Sequence, residues 1–570
     1  MVIPAMQRRM FLATAGAAVA AQAARVAQTA EPSLDRPDDP TGFLGRRSPV
    51  FTRHCLASSS SPLATQVGLR VLEEGGNACD AAVAMAGMMA VVEPMMSGLG
   101  GDTMILVWSA RERRVFGLNG SGAAPSGASL ARIGKRPLMP DQGAVSVTIP
   151  GAVAGWCRLL ERFGSRSLER LWEPAVAASR DGYPVGESMA GMWALAAPLL
   201  PPSATPALRN LLLPQGKSPV PGQIVRFPAL AATLEGVAKE GREAFYGGAV
   251  ARAISATLSA GGVPTTAADV ARQEAEWVEP LSVRYRGRDV LGLPPNSQSV
   301  VALIALGLLE GFDLVGMGES ARLHHQIEAL RLGFEFAIDE IGEPTDAMLE
   351  KVGRALEADG LSQRRGRIGD RATAVVRPQG GNTSDTTYLC AIDRDGNAVS
   401  LMSSICGAFG SGLLAGDTGV ILNNRASQFA TQSGHPNALG PGRRPRHTIL
   451  PGMVLRDGIP EFILGCIGLN NHPQGLVQLL VDTLDLGMNP QQACDAPRFR
   501  VVMTSDEVQL DTAFSDQVGA ELAARGHRLG DPQAFKGATQ MVRIHRGASG
   551  VGPCLESGVD HRLDGVALGR

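Results

Sequence analysis

Gly381-Asn382-Thr383-Ser384-Asp385-Thr386-Thr387-Tyr388 closes an Arg- and Gly-rich stretch that begins at Arg364, and a β-prone run starts at its threonines. If the chain is cut between Asp385 and Thr386, one residue carries both a hydroxyl and a freed α-amine. Nucleophile and general base then sit together, and no histidine is required. An α-amine has a pKa of about 8, close enough to neutrality to accept the hydroxyl proton, whereas a lysine near about 10 would stay protonated. The plain alternative is a turn leading into a strand, and spacing alone does not separate the two.

Outward from this junction the chain divides by composition. Downstream, Thr387 to Asp393 and Ala398 to Ser403 alternate as strands around a turn at Asp395-Gly396, and a helix is expected over Gln474 to Leu486. Upstream, residues 150 to 350 read as mainly helical, with amphipathic runs at Ala152–Glu161, Ala229–Lys239, Val250–Leu258 and Ala321–Phe336. Arg364 to Gly381 reads as an exposed linker. Between Leu63 and Val92, two Ala-rich helices flank Glu74-Gly75-Gly76-Asn77, where glycine ends one and Asn77 caps the next. A loop at Met95 to Asp102 then feeds an apolar strand, Thr103 to Trp108. Order is expected to begin near Leu63, with residues 31 to 62 as a leader. Strands in both halves with helices between them favour packed sheets covered by helices.

Composition removes several function classes. Lys plus Arg number 53 against 55 Asp plus Glu, a net charge of −2, and aromatics are 4% of the 570 residues, so neither a phosphate-reading surface nor a base-stacking platform is indicated. No nucleic-acid partner is expected. The eight cysteines are scattered without a C-x-x-C and the nine histidines form no ligand cluster, so neither a disulfide framework nor a metal site is implied, and no cofactor is expected. His324-His325 reads as a helix-face pair, and Gly407 to Gly412 lacks the lysine of a phosphate loop. At the start, Arg8-Arg9-Met10-Phe11-Leu12, an apolar run from Ala13 to Ala21 and Ala21-Gln22-Ala23 have the order of a twin-arginine signal peptide over residues 1–30. A periplasmic location is expected, without stable membrane insertion, because the apolar run is shorter than the about 20 residues of a span.

Residues 385 to 429, DTTYLCAIDRDGNAVSLMSSICGAFGSGLLAGDTGVILNNRASQF, resemble the self-processing region of the γ-glutamyltranspeptidase family of N-terminal nucleophile hydrolases. The likeness continues through residues 73 to 102, SVTIPGAVAGW (146 to 156), EAFYGG (243 to 248), LPPNSQ (293 to 298) and ACDAPRF (493 to 499), across nearly all of residues 55 to 570. It implies an α/β chain folded as a four-layer αββα sandwich. It also implies cleavage between Asp385 and Thr386 into a large fragment (31–385) and a small one (386–570), held together as a heterodimer within one structural domain. Thr386 matches the family's self-cleaving threonine and Ser404 a second hydroxyl that supports it. Gly465 to Asn470 matches a loop whose amides serve an oxyanion, here those of Gly468 and Leu469, with Leu469 standing where the family has glycine.

The head-group positions depart from the family pattern. The arginine that holds a glutamyl α-carboxylate is replaced by Ser121, and the two carboxylate-binding serines fall on His447 and Thr448. The three residues that receive the α-ammonium fall on Cys406, Arg425 and Gln428, beside Asn424. An anion has been lost there and a cation gained. The pattern resembles the amidohydrolase-like branch that includes oxamate amidohydrolase, so the expected substrate is an amide of a small carboxylate-bearing acyl group. Arg425 would take the carboxylate, His447 would be a second donor, and Asn424, Gln428 and Thr448 would line the site. For Arg425 the alternative is an ion pair with an acid of the fold, and for His447 a packed histidine bonded to backbone. No tyrosine lies between Asn424 and Pro445, where lidded relatives carry one, which favours water over an amino acid as acyl acceptor. The competing readings are a glutathione hydrolase or γ-glutamyltransferase and, because Tyr388 replaces a usual histidine and Leu469 a glycine, an unprocessed binding protein.

Overall fold

A computed structural model describes residues 47–200, 204–373, 385–468, 470–532, 537–547 and 553–570, and one compact unit spans Pro49–Arg570. Two antiparallel seven-stranded sheets form its centre. The first runs Val566–Gly569, Leu56–Ser59, Asp385–Ile392, Ala398–Cys406, Asp102–Ser109, Arg114–Gly120, Glu276–Val278. The second runs Val50–Thr52, Pro553–Val559, Thr539–Arg546, Ile459–Cys466, Gly452–Arg456, Arg288–Gly292, Leu281–Tyr285. Their inner faces meet where Asp385–Ile392 and Ala398–Cys406 pack on Ile459–Cys466. Helices Ala78–Val92 and Ala152–Phe163 cover the outer face of the first sheet, and Ser299–Leu309 and Asn471–Leu484 that of the second. The result is the expected αββα sandwich.

The local signals explain the covering helices. Asn77 accepts from the amides of Cys79 and Asp80 while Asp80 returns a bond to the Asn77 amide, so the helix after the double glycine starts on a capping box. All fifteen residues of Ala78–Val92 are buried, which is why it carries no polar face. Cover on both sides likewise makes Asp102–Ser109 buried at every position.

Three expectations are corrected. Order begins before Leu63: Val50–Thr52 and Leu56–Ser59 are strands of the two sheets. Leu-Ala-Ser-Ser looks like a leader because half of it is serine, yet all four are buried, and Ser58 Oγ donates to Gln540 Oε1 at 2.8 Å between the sheets. The region 150 to 350, though mainly helical, also holds five short strands among its described residues: Tyr183–Pro184 and Ile224–Val225, paired with each other, and Glu276–Val278, Leu281–Tyr285 and Arg288–Gly292 at or next to the sheet edges. The stretch from Arg364 is not all exposed linker. Arg364 and Arg365 end helix Ala358–Arg365, where Arg365 donates to the carbonyls of Gly307 and Leu308, and Thr373 is bonded to Glu328. Residues 374–381 of that stretch and the proposed signal peptide lie outside the described residues.

Candidate active site

Thr386 lies where the ladder between Asp385–Ile392 and Ala398–Cys406 slips. Asp385 pairs with Cys406, but Thr387 pairs with Ser403, so the register shifts around Thr386. The slip leaves Thr386, fully buried, with its Oγ1 donating to Ser404 Oγ at 3.2 Å. Ser404 is in turn opposite Asp102 on the next strand. Gly101 permits that approach, since a Cβ there would come within 2.4 Å of the Ser404 carbonyl oxygen.

Around this pair the structure assembles a buried polar cluster from four distant segments. Arg425, on the short turn Arg425–Gln428, donates from Nη2 to Ser404 Oγ (3.2 Å), from Nη1 to Thr448 Oγ1 (2.7 Å) and from Nε to Asp102 Oδ2 (3.3 Å). Arg425 and Asp102 are both 0% exposed. Asp102 Oδ1 accepts from the Gly122 amide at 2.8 Å, and Oδ2 also accepts from His447 Nε2 at 3.0 Å. His447 Nδ1 accepts from the Ile449 amide at 3.3 Å, which places the ring proton on Nε2 and makes the histidine a neutral donor. Burial, and then the positive Arg425, push its pKa down to about 4 against the opposing pull of Asp102.

The expected site residues that fall among the described ones can therefore be placed. Thr386, Ser404, Arg425, His447 and Thr448 come together. For Arg425 the ion pair with an acid of the fold is present, and the acid is Asp102. His447 is packed and bonded to both Asp102 and backbone. Asn424 is adjacent but spends its side chain on the fold, with Oδ1 accepting from the Gly407 amide (2.7 Å) and Nδ2 donating to the Asp141 carbonyl (2.8 Å). Gln428 turns to a neighbouring cavity of about 260 Å³, lined also by Ser427, Phe429, Asn437 and Arg446. Cys406, with a positive φ of 80°, donates its amide to Ser404 Oγ at 2.8 Å. Ser121 is tied to Asn119 at 2.6 Å.

In the loop after Ile459–Cys466, the Ile467 amide is spent on the Ala538 carbonyl (2.8 Å), while the Gly468 amide has no partner among the described residues. Leu469 and the side chain of Asp385 lie outside the described residues. Tyr388 is a packing residue: its ring covers Gly465, where a Cβ would come within 2.3 Å of it, and its hydroxyl meets Ser400 Oγ at 3.0 Å.

Two members of the neighbourhood escape the sequence reading. Asp102 follows a double glycine and opens an apolar strand; a carboxylate in such a run must be paired if buried, which was the available signal. His472 opens helix Asn471–Leu484, donates from Nδ1 to the Thr448 carbonyl (2.7 Å), and keeps Nε2 buried without a partner among the described residues. Burial holds its pKa near 3, so it is neutral.

The chain is similar to several known proteins. The family model described as gamma-glutamyltranspeptidase matches residues 64–570. The glutathione hydrolase-like YwrD proenzyme of Bacillus subtilis is 34% identical over 538 residues, covering 92% of this chain and 99% of that protein. The oxamate amidohydrolase proenzyme of Klebsiella pneumoniae is 32% identical over 533 residues, 90% of this chain and 98% of that one. Among solved structures, the cephalosporin acylase from Bacillus halodurans superposes with a TM-score of 0.86 at 34% identity, over 94% of this chain and 99% of its own.

Proposed function

Because the chain belongs to the gamma-glutamyltranspeptidase family of N-terminal nucleophile hydrolases, we propose that it severs its own Asp385–Thr386 bond and then hydrolyses an amide whose acyl group carries a carboxylate, as oxamate does. In self-cleavage the Thr386 hydroxyl attacks the Asp385 carbonyl carbon, the peptide nitrogen leaves as the new α-amine, and water releases Asp385 from the resulting ester. In turnover the α-amine takes the proton of Oγ1, which attacks the substrate carbonyl, and the leaving amine receives that proton. Water then frees the acid from the acyl-enzyme. The Gly468 amide is the oxyanion donor this reading uses, and such a donor contributes about 3 kcal/mol of transition-state stabilisation.

The observation that carries the acidic acyl group is the unspent capacity of Arg425. Of a guanidinium's five N–H groups, three have partners here, one each on Asp102, Thr448 and Ser404. The other two have no partner among the described residues and the side chain is fully buried, so a small carboxylate entering beside Thr386 would be received by fixed donors. A γ-glutamyl head fits less well, because its ammonium would face Arg425. Ammonia release from oxamate, set against p-nitroaniline release from a γ-glutamyl anilide, tests this; turnover of the anilide alone would overturn the acidic-acyl reading. An intact mass of the full-length chain after prolonged incubation would instead favour the unprocessed binding protein. The proposal extends to export, on the strength of Arg8-Arg9 and the apolar run behind them.

A further inference from the structure

We propose that Asp102 is a positioning residue for the Thr386 hydroxyl, acting through Arg425 and Ser404. The proposal rests on the reading of Thr386 as the self-cleaving nucleophile. Asp102 and Ser404 are cross-strand partners, and Arg425 bridges them with Nε on the carboxylate and Nη2 on the hydroxyl. A guanidinium is rigid and planar, so fixing Nε at Asp102 and Nη1 at Thr448 leaves Nη2 one position, against Ser404 Oγ. Ser404 Oγ receives that N–H and the Cys406 amide, and it is the atom to which Thr386 Oγ1 donates.

The carboxylate is itself held from three directions. Gly122 binds one oxygen, and Arg425 and His447 share the other. His447, with its single ring proton already on Asp102, can neither rotate nor draw a proton from the cluster without losing a bond. Packing alone does not call for this arrangement, since a buried ion pair contributes no more than apolar groups of the same shape. What it supplies is orientation, and a hydroxyl's rate of attack depends steeply on orientation. Asparagine cannot reproduce it: with one acceptor oxygen it can satisfy the Gly122 side or the Arg425 and His447 side, and its amide nitrogen then faces a donor on the other.

The test is a double-mutant cycle read on self-cleavage, with no substrate added, so that its outcome is separate from the identity of the acyl group. Asp102→Asn, Arg425→Gln and the double variant are pulse-synthesised, and the two fragments are followed by intact mass beside an uncut Thr386→Ala control. Each single change is expected to slow cleavage about 10- to 100-fold, Asp102→Asn no more than Arg425→Gln, and the double to be within about twofold of Arg425→Gln, because both act through one contact. On the fraction of Asp102→Asn that does cleave, kcat for a chromogenic amide should fall with KM held within about twofold, a split that loosened packing would not produce. The double variant carries no unpaired buried charge. If Asp102→Asn alone fails to accumulate, equal rates for the double and for Arg425→Gln support the proposal. Cleavage of Asp102→Asn at the unaltered rate, multiplying losses, or a double variant slower than Arg425→Gln by about tenfold would overturn it. Cleavage of Thr386→Ala would refute the nucleophile itself.

Discussion

Arg425→Gln separates a substrate contact from a structural one by the charge of the substrate. Two buried N–H groups have no partner among the described residues, and a bound carboxylate would take them as charge-assisted bonds, whereas glutamine offers only a neutral amide. The difference is about 1.5 to 3 kcal/mol, or roughly 10- to 150-fold in kcat/KM. The same change strands Asp102 without its cation, a loss of about 3 to 5 kcal/mol in folding stability when a buried pair is broken. That second loss, and the disturbance of Ser404, fall on every substrate alike. The assay therefore compares an acid-bearing amide with its neutral ester on cleaved enzyme and takes the ratio of ratios, in which the common losses cancel. A ratio of about 10 or more for the acid over the ester is expected. Equal losses on both substrates would show that Arg425 serves only Asp102 and Ser404, and the acidic-acyl reading would fall.

Thr386→Ala should remain a single chain with no hydrolysis, whereas Thr386→Ser, which loses only a methyl group, should cleave more slowly and keep some activity; intact mass and turnover report both. His447 is neutral with a pKa near 4, below the ordinary value of about 6.5, so the unfolded chain takes up a proton the folded one refuses. The stability this group contributes is full above about pH 6.5 and is lost as the pH falls toward 4, a change on the order of 3 kcal/mol. His447→Gln should flatten that acid limb in thermal unfolding; an unchanged slope would refute the assignment. Glu93, buried at the end of helix Ala78–Val92 with Ser60 Oγ donating to it at 3.1 Å, is raised by burial to about 8. Its stability contribution is full below the ordinary carboxylate range and is lost as the pH rises through 8, so Glu93→Gln should raise Tm at pH 8 and leave it nearly unchanged at pH 4.

What could be read from the sequence was what local physics decides. The Glu-Gly-Gly-Asn break and its cap, the helical runs, and the Asp395-Gly396 turn, where Gly396 has a φ of 81°, are determined by residues a few positions apart. The strand that opens at Thr386 belongs with them. Leu56–Ser59 escapes a local reading because Ser58 is satisfied across the sheets by Gln540, 482 residues away in sequence. The candidate site divides the same way. Thr386 and Ser404 lie on one hairpin and could be paired from its register, but Asp102 meets Gly122, Arg425 and His447 only through the sheet. The direction in which Arg425 spends its charge could not be known before its partner was placed.

The strand that carries Thr386 lies between Leu56–Ser59, from before the proposed cut, and Ala398–Cys406, from after it. At the far terminus, the Arg570 carbonyl accepts the amides of Arg53, His54 and Cys55. Each fragment thus completes sheets begun by the other, and the pairing arises while both belong to one polypeptide. Once cut, the molecule retains a shape whose assembly route it has lost: loop closure within a chain becomes a search between two chains, dependent on concentration and exposed to aggregation. The persistence of the cleaved form is then a matter of its unfolding rate. The uncut Thr386→Ala chain keeps a reversible path back from denaturant that its processed counterpart has given up.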